Sequence, residues 1–88
     1  MLEREIEEKV VNYAKKRKFR ADKNKTRSLP DRTFISPTGN IFYVEFKRKG
    51  KSPTKLQQIT INDLLSRSVK VFIIDDLEQG KLLINEYI

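Results

Sequence analysis

Two residue types are missing from this 88-residue chain altogether. Without cysteine there are no disulfides and no thiolate metal sites. Without histidine there is no imidazole acid–base catalysis and no imidazole-ligated metal. Any metal must therefore take oxygen ligands, which selects Mg²⁺, Mn²⁺ or Ca²⁺ over Zn²⁺. No apolar run approaches the roughly 20 residues of a membrane span, and nothing at the start reads as a signal peptide. A cytoplasmic location with no membrane partner is expected. Repeats and low-complexity stretches are also absent, and the length predicts one domain over residues 1–88. Such a domain buries only about 60–65 % of its unfolded surface, so a second copy would be a useful supplement to a small core.

What the chain has in excess is positive charge: 19 Lys and Arg against 12 Asp and Glu, a net +7. A polyanionic partner is implied, nucleic acid before anionic membrane. The placement is one-sided. Eight basic residues and one acid fall between Lys15 and Arg27, and five more basic residues lie between Lys47 and Lys55. After Lys70 only Lys81 is basic.

Residues 2–18 carry Leu2, Ile6, Val10 and Ala14 at four-residue spacing, an amphipathic helix with Glu at its start and Lys/Arg at its end. Residues 20–30 are basic and aperiodic and read as an exposed loop. Residues 33–35 and 41–47 read as a hairpin through the turn Ser36-Pro37-Thr38-Gly39-Asn40. Ser52-Pro53 predicts a helix start, and Leu56, Ile59, Leu64 and Leu65 predict its apolar face. Residues 69–74 read as a buried strand, and 81–84 as an edge strand or a short helix. The order α-β-β-α-β makes a small layered α/β domain.

Within Val44-Glu45-Phe46-Lys47 the period of two sets Glu45 and Lys47 on one face, about 7 Å apart along the strand, opposite Phe42, Val44 and Phe46. Pairing through the 36–40 turn brings Asp31, after Pro30, towards Glu45. Two carboxylates and a backbone carbonyl make a hard oxygen site for Mg²⁺, and a neighbouring lysine can orient or activate water. A lone Glu-x-Lys is usually a solvated strand face. Here it follows a Pro-Asp by 13 residues, lies in an apolar strand and feeds a basic helix.

These features resemble the PD-(D/E)xK nuclease superfamily, and more narrowly the virus-type replication-repair nuclease (VRR-Nuc) family in its small stand-alone phage form. The matching stretches are Glu3-Arg4-Glu5-Ile6, Pro30-Asp31-Arg32, Val44-Glu45-Phe46-Lys47, Ser52-Pro53 with Leu56-Gln57, and Val69 to Asp75. Where the family commonly has a glycine before Pro-Asp, this chain has Ser28-Leu29. The resemblance implies a restriction-endonuclease-like α/β core with a mixed sheet flanked by helices. It implies a catalytic set of Asp31, Glu45 and Lys47, with Gln57 as an additional glutamine. The metal, Mg²⁺ or Mn²⁺, would be held by Asp31, Glu45 and the Phe46 carbonyl. Stand-alone members are similar to Holliday-junction resolvases with a glutamate in the first helix, which maps to Glu3, with Glu7 the second choice.

The function so implied is a metal-dependent endonuclease acting on branched DNA in a bacterial host cell, with 5′-phosphate and 3′-hydroxyl products. Symmetric cutting of a four-way junction implies a homodimer. Flap- or nick-directed or non-specific DNA cleavage, or a non-catalytic basic DNA-binding module, are the alternatives. Salt-sensitive backbone contacts are expected from Arg32, Arg48, Lys49, Lys51 and Lys55, and from Lys23, Lys25 and Arg27. Phe34, Phe42, Phe46 and Phe72 are expected in the core.

Overall fold

The computed structural model describes residues 1–88. In chain order the elements are α1 (Glu3–Lys16), β1 (Arg20–Lys23), β2 (Arg32–Ile35), β3 (Ile41–Phe46), α2 (Lys55–Ser66), β4 (Val71–Ile74) and α3 (Leu77–Glu86). The four strands form one mixed sheet in the order β1-β2-β3-β4. The β1–β2 and β2–β3 pairs are antiparallel, and β3–β4 is parallel, with α2 as its crossover.

The β2–β3 turn forms as its sequence predicts. Ser36 N–H donates to the Asn40 carbonyl at 2.8 Å, and Gly39 takes φ +88°, a conformation that favours glycine. Ser36 Oγ accepts from the Asn40 and Thr38 amides, which fixes the turn and hence the register. One face of β3 then carries Phe42, Val44 and Phe46, all fully buried. Phe34 stacks on Phe42 at 5.5 Å, and Tyr87 of the C-terminus covers Phe42 at 4.8 Å. Ile6, Val10 and Ala14 of α1, with Leu83 and Ile84 of α3, close this core. The expected aromatic core is present, Phe72 being its partly buried member.

Four readings of the sequence are corrected. Residues 20–23, expected in an exposed loop, pair with β2, because Phe19 and Ala21 bury beneath the polar residues that flank them. β4, expected as a buried strand, lies at the sheet edge: Ile74 is buried, but Ile73 is partly exposed. On α2 only Ile61 is buried, while Leu56, Ile59 and Leu65 are exposed. The predicted apolar face therefore points outward, with Leu64 half-buried at its margin. The cap of α2 is Thr54 rather than Ser52: its hydroxyl accepts from Gln57 N–H. Residues 81–84 are helical, inside α3. No helix is long and apolar enough to cross a membrane.

α1 and α3 lie side by side, with Val10 against Gly80 and Tyr13 donating its hydroxyl to Asn85 Oδ1 at 2.9 Å. A glycine inside a helix costs about 1 kcal/mol relative to alanine. Here close approach requires it, because a Cβ on Gly80 would lie 2.5 Å from Val10 Cγ2. Gly80→Ala is expected to destabilise the fold by about 1–3 kcal/mol in urea denaturation. Combined with Val10→Ala it should cost less than the sum of the two single changes, since the smaller residue relieves the clash.

Candidate active site

The β2–β3 register pairs Arg32 with Val44, so the residue preceding β2, Asp31, stands opposite Glu45. Their side chains share the sheet face away from the aromatic core. Tyr43 and Lys47 donate their N–H groups to the Lys70 and Ile74 carbonyls. Residue 46 therefore turns its amide and carbonyl the other way, towards β2, where the strand has ended. Asp31 Oδ2 takes the place of a strand partner and accepts the Phe46 N–H at 2.8 Å.

Glu45 is almost completely buried, at 5 % exposure. Its Oε2 accepts from Gln57 Nε2 at 3.0 Å and lies 3.6 Å from Lys47 Nζ. Gln57 is fixed at its other end, where Oε1 accepts the Thr54 N–H at 2.9 Å. The capping arrangement that starts α2 therefore also aims this glutamine. Gln57, the additional glutamine that the resemblance implies, is thus bonded to Glu45.

Burial drives the Glu45 carboxyl up to about 7, and the facing charge of Asp31 adds to it against the opposing pull of Lys47. Asp31 is also raised, chiefly by burial and partly by Glu7, with the Phe46 N–H pulling it back. Two desolvated acids held face to face suit a divalent cation bound through hard oxygens. The donor chemistry fits Mg²⁺ or Mn²⁺, with Asp31, Glu45 and the Phe46 carbonyl as the protein's share. No group of three or more acidic side chains gathers here, so water would have to complete the shell, as Mg²⁺ usually requires.

Around this centre lie two clefts. One, of about 360 Å³, runs between the β1–β2 loop and α2; Lys25, Arg27, Asp31, Glu45 and Gln57 line it. The other is shallower and brings together Glu3, Arg4, Lys47, Arg48 and Lys51. Glu3 thus stands beside Lys47 and close enough to act on Glu45 electrostatically. Lys23 and Lys55 are exposed at the margins, and Lys49 reaches Asp76 at 3.6 Å.

Arg32 is the exception among the predicted backbone contacts. It is turned inward: Nε donates to Glu7 Oε2 at 2.7 Å and Nη1 to the Ala21 carbonyl at 3.3 Å. Both side chains of that ion pair are largely buried. The pair joins α1 to the sheet one residue from Asp31, which gives Glu7 a bracing place and engages two of the Arg32 nitrogens within the protein. Pattern reading also passed over Asn24, which lines the first cleft beside Asp31, because it follows β1, which reads as loop in the sequence.

With no divalent ion bound, the folded protein holds protons on Glu45 that the unfolded chain releases between about pH 4.5 and 7. Stability should therefore fall as pH rises through that window. Glu45→Gln is expected to be the more stable protein at about pH 8, by roughly 1–3 kcal/mol. The difference should vanish below about pH 4.5, where both side chains are neutral. Urea midpoints across the pH range check this.

A scan against protein-family models found no match, and a search of curated proteins found none either. Among solved structures, one described as a VRR_NUC domain aligns over 98 % of this chain and 97 % of its own, with a TM-score of 0.85 and 22 % identity. The chain thus has the fold of a VRR_NUC domain: a four-stranded mixed sheet flanked by three helices, from end to end.

Proposed function

We propose that the chain is a single-domain VRR-Nuc nuclease that hydrolyses phosphodiester bonds in branched DNA with Mg²⁺ or Mn²⁺. The observation that carries this reading is the buried pair Asp31 and Glu45, set opposite each other at the open end of the sheet. A solvated strand face, the ordinary fate of Glu-x-Lys, does not bury its glutamate to 5 % exposure or push it to about 7. Such an arrangement disfavours the two negative charges in the metal-free protein, a cost that a bound divalent cation would offset. The shared fold with a VRR_NUC domain supports the same assignment.

Each residue then has a task. Asp31 and Glu45 offer carboxylate oxygens, and the Phe46 carbonyl adds a third. A bound divalent ion would supply Lewis acidity and a more acidic water. Lys47 Nζ, held beside Glu45, presents positive charge where a scissile phosphate would lie and can orient the attacking water. Gln57 keeps Glu45 in place. Hydrolysis adds the water oxygen to phosphorus and breaks the bond to the 3′ oxygen, leaving a 5′-phosphate and a 3′-hydroxyl.

Lys25 and Arg27 in one cleft, and Arg48 and Lys51 in the other, supply phosphate contacts on either side. For a four-way junction two such sites are needed, and a homodimer provides them. The exposed Leu56, Ile59 and Leu82 offer apolar surface for that association.

The test is cleavage of labelled four-way, flap, nicked and linear DNA with Mg²⁺, Mn²⁺ or EDTA. Asp31→Ala, Glu45→Ala and Lys47→Ala are each expected to lower the rate by roughly a thousandfold while DNA affinity changes little. A fully active Glu45→Ala variant would overturn the assignment. Preference for the junction over the flap and the nick selects resolution. Light scattering should find a dimer at micromolar concentration; a monomer would leave the nuclease reading in place and remove junction resolution.

A further inference from the structure

Asn24 stands at the neck of the β1–β2 loop and makes three hydrogen bonds there. Its N–H donates to the Asp31 carbonyl at 3.0 Å. Its Nδ2 donates to the Pro30 carbonyl at 2.9 Å, and its Oδ1 accepts the Thr33 hydroxyl at 3.0 Å. The backbone is therefore held at Pro30 and Asp31, and the Thr33 side chain is tied in two residues further on. Nothing else in the structure grips this segment from the β1 side so densely. From the β3 side it is held by the Asp31 carboxylate itself, on Phe46 N–H.

We infer that Asn24 is a positioning residue for the catalytic carboxylate of Asp31 and for the basic loop that follows it. This rests on the nuclease reading above. Lys23 pairs with Arg32 in the last rung of the β1–β2 ladder, so Asn24 faces Asp31 in the next place along. Only a side chain with a donor and an acceptor on one short stem can reach both the Pro30 carbonyl and the Thr33 hydroxyl from there; asparagine has both. The loop that starts at Asn24 carries Lys25 and Arg27 into the cleft shared with Asp31, Glu45 and Gln57. One side chain thus sets the carboxylate and the base of the phosphate-binding loop relative to each other. A displacement of about 1 Å at a reacting group can cost roughly a hundredfold in rate, so loss of this brace should be felt in turnover.

The experiment uses Asn24→Ala and the milder Thr33→Val in the full chain, with Gly80→Ala as a control for lost stability far from the site. In wild type, the Phe46 amide proton should exchange slowly because the Asp31 carboxylate is held against it. In Asn24→Ala that exchange should quicken, and kcat on the DNA that wild type cleaves should fall roughly ten- to a hundredfold. KM should change far less than kcat. Thr33→Val should show the same pattern at smaller size. Gly80→Ala, below its unfolding temperature, should keep the wild-type kcat. Its Phe46 exchange should quicken no more than its loss of global stability accounts for, whereas in Asn24→Ala it should quicken beyond that. Unchanged kcat in Asn24→Ala, where Asp31→Ala abolishes cleavage, would overturn the inference and leave the nuclease reading standing. If wild type cleaves no DNA, the nuclease reading fails, and the Phe46 amide still decides whether Asn24 positions Asp31. Should Asn24→Ala not fold, Thr33→Val carries the comparison, and equal losses in it and Gly80→Ala would count against the inference.

Discussion

Two carboxylates face each other one place beyond the last rung of the β2–β3 hairpin, and the surrounding structure keeps them there. A one-residue slip would exchange Glu45 with a neighbour from the aromatic face. The register is therefore held at both ends. At the turn, Ser36 ties down the backbone amides of Thr38 and Asn40. At the open end, Asp31 takes the Phe46 N–H that no strand partner reaches. Between these ends the stacked pair Phe34 and Phe42 locks the opposite face. Such a slip would put a phenylalanine into water and a glutamate into the core, a loss of several kcal/mol before any hydrogen bond is counted.

That arrangement works against stability, and the molecule is built to tolerate it. Burial and like charge both push Glu45 upward, so above neutral pH the metal-free site strains the fold. The strain is offset on the other face, where α1 and α3 approach closely enough to require Gly80 and cover fully buried phenylalanines. The Glu7–Arg32 pair adds a partly desolvated link between α1 and β2 at the site. Removing either partner of such a pair leaves a buried charge, which typically costs about 3–5 kcal/mol. Helix, sheet and carboxylates are thus one mechanical unit.

Legibility in the sequence followed the range of the signal. The hairpin announced itself through Pro37, Gly39 and the alternation of residues 41–47, and with it the proximity of Asp31 and Glu45. The first helix was readable from its four-residue spacing, and the aromatic core from the same alternation. β1 was hidden because its buried residues, Phe19 and Ala21, sit among six basic ones, and only pairing with β2 makes them a strand. Hydrophobicity misled at α2 and β4: Leu56 and Ile59 read as a core face and lie in solvent. Periodicity reports that a face is apolar and does not report what covers it. Arg32 misled for the complementary reason, since a cation beside Pro-Asp reads as a phosphate contact until its partner, Glu7, arrives from 25 residues away.

Charge in this molecule is sorted by depth, and that sorting bears on how a phosphodiester would be admitted. Arg27 and Lys25 stand at one side of the carboxylates, Arg48 and Lys51 at the other, all exposed, while Glu45 lies beneath them. The outer cations attract a polyanion over a distance of about a Debye length, roughly 8–10 Å in ordinary salt. At closer range the buried carboxylates repel the phosphate, more strongly as the dielectric falls. Lys47 offsets one negative charge at 3.6 Å, which leaves the pair with Asp31 still short of neutral. On the proposed nuclease reading, backbone binding and seating of a scissile phosphate would therefore be separate events with opposite electrostatics. The first depends on the rims. The second would become favourable if a divalent cation, held between residues 31 and 45, reversed the sign of the field there.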